Sequence, residues 1–227
     1  MRIKYITKKE YFMTYIEYLC KEIRKIQPGE PIYSKHLSKM VEDTFNLDYK
    51  AAAAAVAVAM KRIIENKVVP DLRNYQKGIF YRTLETVFGE TGINKNKLIA
   101  DKYLADNIGY ETGPVILHKL GLTSQMPKQL LLATNAAKDC MRVDNRLGVV
   151  IKVPKVKVTA ENKAYLQILD VLDMMDDNPI DEKEPHYIVA EHIKKQNLKY
   201  DILLALADKY YNQKTILHLA RTASAVA

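Results

Sequence analysis

The sequence predicts an α+β fold in two parts, and three observations carry this reading. The first 82 residues combine three helical patterns with a pair of short β-prone runs. Residues 84–158 mix both kinds of pattern, and from Thr159 onward apolar residues recur at helical spacing. With 227 residues, 48% hydrophobic and 27% charged, the chain has an ordinary globular composition and room for one large domain or two small ones. Wholesale disorder and a peptide-sized module are both excluded.

Between Tyr11 and Ile26, the apolar residues Phe12, Ile16, Leu19, Ile23 and Ile26 fall three or four apart, an amphipathic helix closed by Pro28 and Gly29. A shorter pattern starts at Ser34 as N-cap, runs through Leu37, Met40 and Val41, and ends near Phe45 and Asn46. Asp48 then caps DYKAAAAAVAVAMKRIIEN. Its seven alanines between 51 and 59 favour helix, and Ala52, Val56, Ala59, Met60 and Ile63 form its inward stripe, with Lys50, Ala54 and Lys61 on another face. KVVPDL and IFYRT follow as β-prone runs, joined through RNYQKG by a turn holding Asn74 and Gly78. Three helices and a hairpin make a winged helix-turn-helix over residues 1–83.

The formal charge of +8 is concentrated in this part. Residues 1–82 hold 16 Lys and Arg against 9 Asp and Glu; residues 83–227 hold 19 against 18. Between 50 and 82 there are seven bases and two acids, so the excess lies on the third helix and hairpin. Such a face suits double-stranded DNA, the third helix meeting base edges and the flanking cations meeting phosphates. Tyr49 and Lys50 are the base-reading candidates, and the alanine run would let the backbone approach a groove. Lys61, Arg62, Arg73, Lys77 and Arg82 are the phosphate candidates, with Arg73 and Lys77 at the wing tip and Tyr75 among them. A packed alanine-rich core helix and a solvated lysine surface are the alternatives.

The second part spans 84–227. TLETVFGETGINKN reads as a linker or opening loop. A helix is expected from Asn94 through Leu98, Ile99 and Leu104, and another from Thr112 as cap, with Pro114 in its first turn, to Gly121. LLLAT is a buried-strand candidate that contains Ala133. CMRVDNRLGVVIKVPKVKV looks like a hairpin turned at Asp144, Asn145 and Gly148. Residues 159–227 read as a small helical bundle.

Catalytic signatures are missing from the sequence. The eight glycines form neither GxxxxGK[ST] nor GxGxxG, and no GxSxG occurs. The five histidines never fall at i, i+3 or i, i+4 to one another, so no zinc pair shares a helix face, and His186 and His192 read as surface residues. Cys20 and Cys140 form no metal or disulfide pattern, and Cys140 reads as a small buried strand residue. Residues 170–184 hold seven acids and one lysine but lack the glycine of an EF-hand loop; an acidic docking surface or a solvated loop is expected. Lys152, Lys155 and Lys157 form a second basic group that would extend a DNA track or protect a strand edge. No enzyme activity, metal or cofactor is expected. No apolar run approaches the ~18 residues of a membrane span, and MRIKYITKKEYF has no apolar signal core, so a cytoplasmic protein with no membrane partner is expected.

GYETGPVILHKLGLTSQMPKQLLLATN, followed by a hairpin turned at Asn145, resembles the type IV abortive-infection antitoxins (AbiEi-like). IIENKVVPDLRNYQKGIFYR matches the end of that family's recognition helix and its wing, and Gly121, Leu122, Thr123, Gln125 and Pro127 match its second domain. The resemblance covers most of the chain. It implies an antitoxin and transcriptional autorepressor of a toxin-antitoxin operon in phage defence. The winged helix would bind the operon's own promoter, and the C-terminal domain would counteract a nucleotidyltransferase-like toxin without a stable complex. No toxin-contacting residue is identified. A homodimer would fit an inverted-repeat operator, and a monomer that bends DNA would fit as well. The competing reading is a protein-interaction adaptor whose winged helix does not bind DNA specifically; a carboxylate nuclease is a third.

Overall fold

A computed structural model describes residues 13–105 and 107–225. The chain divides into two compact units at Lys97/Leu98, later than the boundary expected at residue 83.

In the first unit, α1 (Tyr15–Lys25) begins at a capping box. Glu17 N–H donates to Thr14 Oγ1 at 3.3 Å and Thr14 N–H to the Glu17 carboxylate at 2.8 Å, so two exposed donors at the helix start are satisfied. The expected earlier turn at Tyr11 and Phe12 lies outside the described residues. β1 (Ile32–Tyr33) leads directly into α2 (Ser34–Phe45). Ser34 is the first residue of α2 rather than its cap; Tyr33 holds the cap position and makes no side-chain cap bond. Asn46 ends α2 at φ 52°, a left-handed conformation that asparagine tolerates and that turns the chain into α3 (Tyr49–Glu65). Asp48 caps α3, accepting from Lys50 N–H at 2.9 Å and Ala51 N–H at 3.1 Å.

The inward stripe of α3 is the expected one: Ala52, Val56, Ala59, Met60 and Ile63 are all buried, in one core with Leu19, Ile23, Ile32, Leu37 and Val41. Burial of each branched side chain contributes about 1.5–3 kcal/mol, which holds three short helices together. The alanines of α3 fall on two faces with different roles. Ala52 and Ala59 allow close helix packing, while Ala54 and Ala57 are exposed.

β2 (Leu72–Gln76) and β3 (Ile79–Arg82) complete an antiparallel sheet in the order β1-β3-β2. The hairpin differs from expectation at both ends. KVVP is no strand: Val68 N–H bonds back to Ile63 O, with Lys67 at φ 49°, so these residues close α3. RNYQ belongs to β2 and not to the turn, which shrinks to Lys77 and Gly78, the glycine supplying φ 78°. A register shift between Asn74 and Gln76 accommodates Tyr75. The expected linker instead forms a small hairpin, β4 (Glu85–Thr86) with β5 (Gly89–Glu90).

The second unit begins within α4 (Lys95–Ile99), which continues into a wider π-helical turn at Ala100–Leu104, together covering the helix expected from Asn94. β6 (Gly109–Thr112) was not foreseen, and Thr112 ends this strand instead of capping α5 (Pro114–Lys119), whose cap is Gly113. β7 (Leu130–Thr134), β8 (Arg142–Asp144) and β9 (Val149–Lys152) follow as expected. The sheet order is β6-β7-β9-β8, with β7 and β9 parallel and both outer pairs antiparallel.

α6 (Lys163–Asp173) lays Leu166 against Tyr110, Ala133 and Val158 of the sheet side. A 3-10 turn at Met175–Asp177 then leads to α7 (Pro185–Lys195), α8 (Tyr200–Tyr210) and α9 (Gln213–Ser224). Leu117, Leu122, Leu169, Leu172, Val189, Ile193, Leu203 and Leu219 form their shared core. Among the described residues, no helix is long and apolar enough to cross a membrane.

Candidate functional site

The outward face of α3 carries Lys50, Ala54, Ala57, Val58, Lys61 and Arg62, all exposed, with Tyr49 46% exposed at the start of the helix. Because Lys50, Ala54, Ala57 and Lys61 are spaced by four, three and four, they share one stripe opposite the buried one. Two cations therefore bracket two small residues, a face on which the helix backbone is accessible. Tyr49 and Lys50, adjacent in sequence, point about 100° apart, so they do not address the same point.

The seven residues singled out by sequence separate into three groups. Lys50, Arg62 and Lys77 make no side-chain hydrogen bond or ion pair among the described residues, and Lys77 occupies the tip of the β2–β3 hairpin. Lys61 lies 3.7 Å from Glu65 one turn on, at an exposed position where such a pair contributes only about 0.3–0.5 kcal/mol. Arg73 and Arg82 are engaged inside the unit. Arg73 lies in β2, not at the tip; its Nε donates to Glu90 at 3.1 Å and its Nη1 to Pro70 O at 2.7 Å. Hydrogen bonding to Glu90 raises the Arg73 pKa, and the same bond lowers that of Glu90. Arg82 donates through Nε to Asp71 at 2.7 Å and through Nη1 to Arg24 O and Ile26 O, fastening the end of α1 to the sheet.

The helical α2 start lies beside the hairpin tip, with Ser34 N–H donating to Gly78 O at 2.9 Å. This bond ties the tip to the start of α2. No sequence signal marks it, because it depends on β1 pairing with β3 across 46 residues of chain, at Tyr33↔Ile79.

The second unit holds polar clusters that sequence spacing did not reveal. Asp170 is buried at 2% exposure and accepts from Thr112 at 2.7 Å, Lys152 at 2.9 Å and Tyr211 at 2.8 Å. It thus ties β6, β9 and the α8–α9 corner to α6. Burial, first, and the Asp170 charge push the Tyr110 and Tyr211 hydroxyls well above the ordinary tyrosine range. Lys155 pairs with Asp173 at 2.7 Å and lies 4.1 Å above the Tyr211 ring. The second basic group and the acidic segment therefore partly neutralise each other within the fold. Asp181 likewise accepts from Ser124 N–H at 2.7 Å.

His186 and His218, 32 residues apart, stack with ring centroids 5.2 Å apart and share a hydrogen bond of 2.9 Å, while His218 contacts Asp176 at 3.1 Å. His186 and His192 are half-buried rather than fully exposed, and burial lowers the pKa of both. Cys140 is exposed in a bend outside the strands, and Cys20 is the buried thiol. Among the described residues, no group of three or more His, Cys, Asp or Glu side chains could hold a metal ion.

A scan against protein-family models matches none, and a search of curated proteins finds no match.

Proposed function

We propose that this chain is a DNA-binding autorepressor whose first unit is a winged helix-turn-helix, and that it is the antitoxin of a type IV abortive-infection operon. The observation that carries the DNA half is the coincidence of two features. The helix–strand–helix–helix–strand–strand order has its sheet arranged β1-β3-β2, and the outward stripe of α3 and the hairpin tip carry Lys50, Lys61, Arg62 and Lys77 with no strong internal partner. Tyr49 and Lys50 would read bases, Ala54 and Ala57 would admit the backbone to the groove, and Lys61, Arg62 and Lys77 would neutralise phosphates. Arg73 and Arg82 leave this set: Arg82 is held by its part-buried pair with Asp71 and by the Arg24 and Ile26 carbonyls, and Arg73 by the exposed Glu90 carboxylate and Pro70 O.

The antitoxin half rests on the resemblance of residues 109–135 and of the wing. On this reading the second unit counteracts a cognate nucleotidyltransferase-like toxin encoded beside it, without catalysis, cofactor or stable complex. Co-expression with the neighbouring gene tests it: rescue of growth by residues 98–227 alone or by the whole chain supports it, and no rescue by the whole chain contradicts it.

Paired substitutions test the DNA half. Lys77→Ala should weaken binding to every duplex by a similar factor, whereas Lys50→Ala should weaken the operator more than a scrambled duplex. Reversal of Lys61 and Arg62 to Glu should abolish DNA binding; a variant that loses only partner binding would favour the protein-interaction adaptor.

A further inference from the structure

The β4–β5 hairpin presents Val87 at 94% exposure and Phe88 at 98%, with Leu84 at 56% close behind. Two adjacent apolar side chains left open to water at a hairpin tip make a candidate contact surface. The hairpin is also held stiffly. Thr91 N–H donates to Leu84 O at 2.8 Å, Leu84 N–H to Thr91 Oγ1 at 2.8 Å, and Thr83 Oγ1 to Thr91 O at 2.8 Å. At the tip, Thr86 Oγ1 donates to Gly89 O at 2.8 Å and accepts from Phe88 N–H at 3.2 Å. Arg73 grips Glu90 from the side. The apolar tip is therefore pre-organised, which lowers the entropic cost of inserting it into a partner. Glu85 and Glu90 are the charged residues between 83 and 94, and because Arg73 neutralises Glu90, Glu85 is the acid beside the tip.

A complementary surface lies on the second unit. An open groove of about 470 Å³ is lined by Leu120 and Ile188, with Lys119, His192, Lys194 and Lys195 around them and Glu191 as its acid. Lys194 and Lys195 are exposed and make no ion pair among the described residues.

We propose that the chain self-associates in trans, the Val87–Phe88 tip of one copy entering the Leu120–Ile188 groove of a second, with Glu85 facing the Lys194–Lys195 rim. An apolar tip beside Glu85, and a groove floored by Leu120 and Ile188 with a Lys194–Lys195 rim, are complementary on one sequence and make a second copy the partner whose chemistry fits. The proposal is independent of DNA binding, and its test uses no DNA.

Sedimentation velocity on the whole chain over a concentration series reads it directly. The wild-type chain should dimerise in the micromolar range, about −8 kcal/mol. V87S/F88S, the knob variant, and K194E/K195E, the groove variant, should each weaken association by at least about tenfold, roughly 1.4 kcal/mol. Both sets of positions are exposed, and circular dichroism confirms that each variant keeps its fold. Mixing the two variants restores one intact knob–groove junction, so a 1:1 complex should form in the mixture that neither variant forms alone. A wild-type chain that stays monomeric throughout overturns the proposal, as does a dimer that either variant leaves unchanged.

Discussion

Arg82 and Asp71 face each other across the β2–β3 hairpin, Nε to Oδ2 at 2.7 Å, and the same guanidinium reaches Arg24 O at 2.9 Å and Ile26 O at 3.0 Å. One planar side chain therefore joins α1, the approach to β2 and the end of β3. Arg82→Ala should cost about 2–4 kcal/mol in urea unfolding, since it removes charge-assisted bonds and leaves Asp71 without its cation. Arg82→Lys should recover only part, because an ammonium cannot span the same acceptors. A loss below about 0.5 kcal/mol would show the contact to be idle.

Asp48 accepts two α3 backbone N–H groups, and α3 supplies five side chains to the first unit's core. Asp48→Ala should destabilise that unit by about 1 kcal/mol, and Asp48→Asn by much less, in thermal melts. Equal losses for both would shift the explanation from hydrogen bonding to charge at the helix start.

Gly109 begins β6 where an added Cβ would lie 2.8 Å from Thr134 Cβ and collide with the Ala133 and Tyr103 carbonyl oxygens. These are backbone atoms with no room to yield. Gly109→Ala should destabilise the second unit by about 3 kcal/mol or more, while Gly121→Ala, with open space but φ 74°, should cost about 1 kcal/mol. Hydrogen exchange in β6 and β7 would separate the two.

His186 is held neutral in the folded unit by burial, then by His218 and Arg221, with Asp176 opposing them. Its folded pKa lies below the unfolded value near 6.5, so the unfolded chain binds the proton first and stability falls as pH drops below about 6.5. His192, also lowered by burial and by Lys195, acts in the same direction. The contact between the two rings adds a geometric limit: the His186–His218 bond needs one donor and one acceptor, and full protonation of both rings leaves two donors face to face. Urea midpoints at pH 7.5 and 5.0 should show this loss, and His186→Gln should shrink it. An unchanged slope in His186→Gln would assign the pH dependence to other groups.

How much of this was legible follows from the range of each interaction. The α3 stripe, its Asp48 cap and the Asp144–Gly148 turn depend on residues within a few positions, and periodicity identified them. β6 was hidden because Gly109 begins it and Pro114 soon follows it, both usual marks of a turn; only pairing with β7 makes GYET a strand. The positive charge of Arg73 and Arg82 could be read, but their partners depend on strand register and on a hairpin at 85–90 that reads as a linker. His186 and His218 meet through the packing of α7 on α9, so no spacing rule applies to them.

Fluorescence anisotropy tests the central claim most directly, with the DNA upstream of the chain's own gene against a scrambled duplex of equal length across a salt series. The account predicts a preference of about a hundredfold or more for the upstream DNA, roughly 3 kcal/mol, and a log–log salt slope of roughly −3 from the phosphate contacts of Lys61, Arg62 and Lys77. Equal affinity for both duplexes, or no binding at low salt, would contradict it.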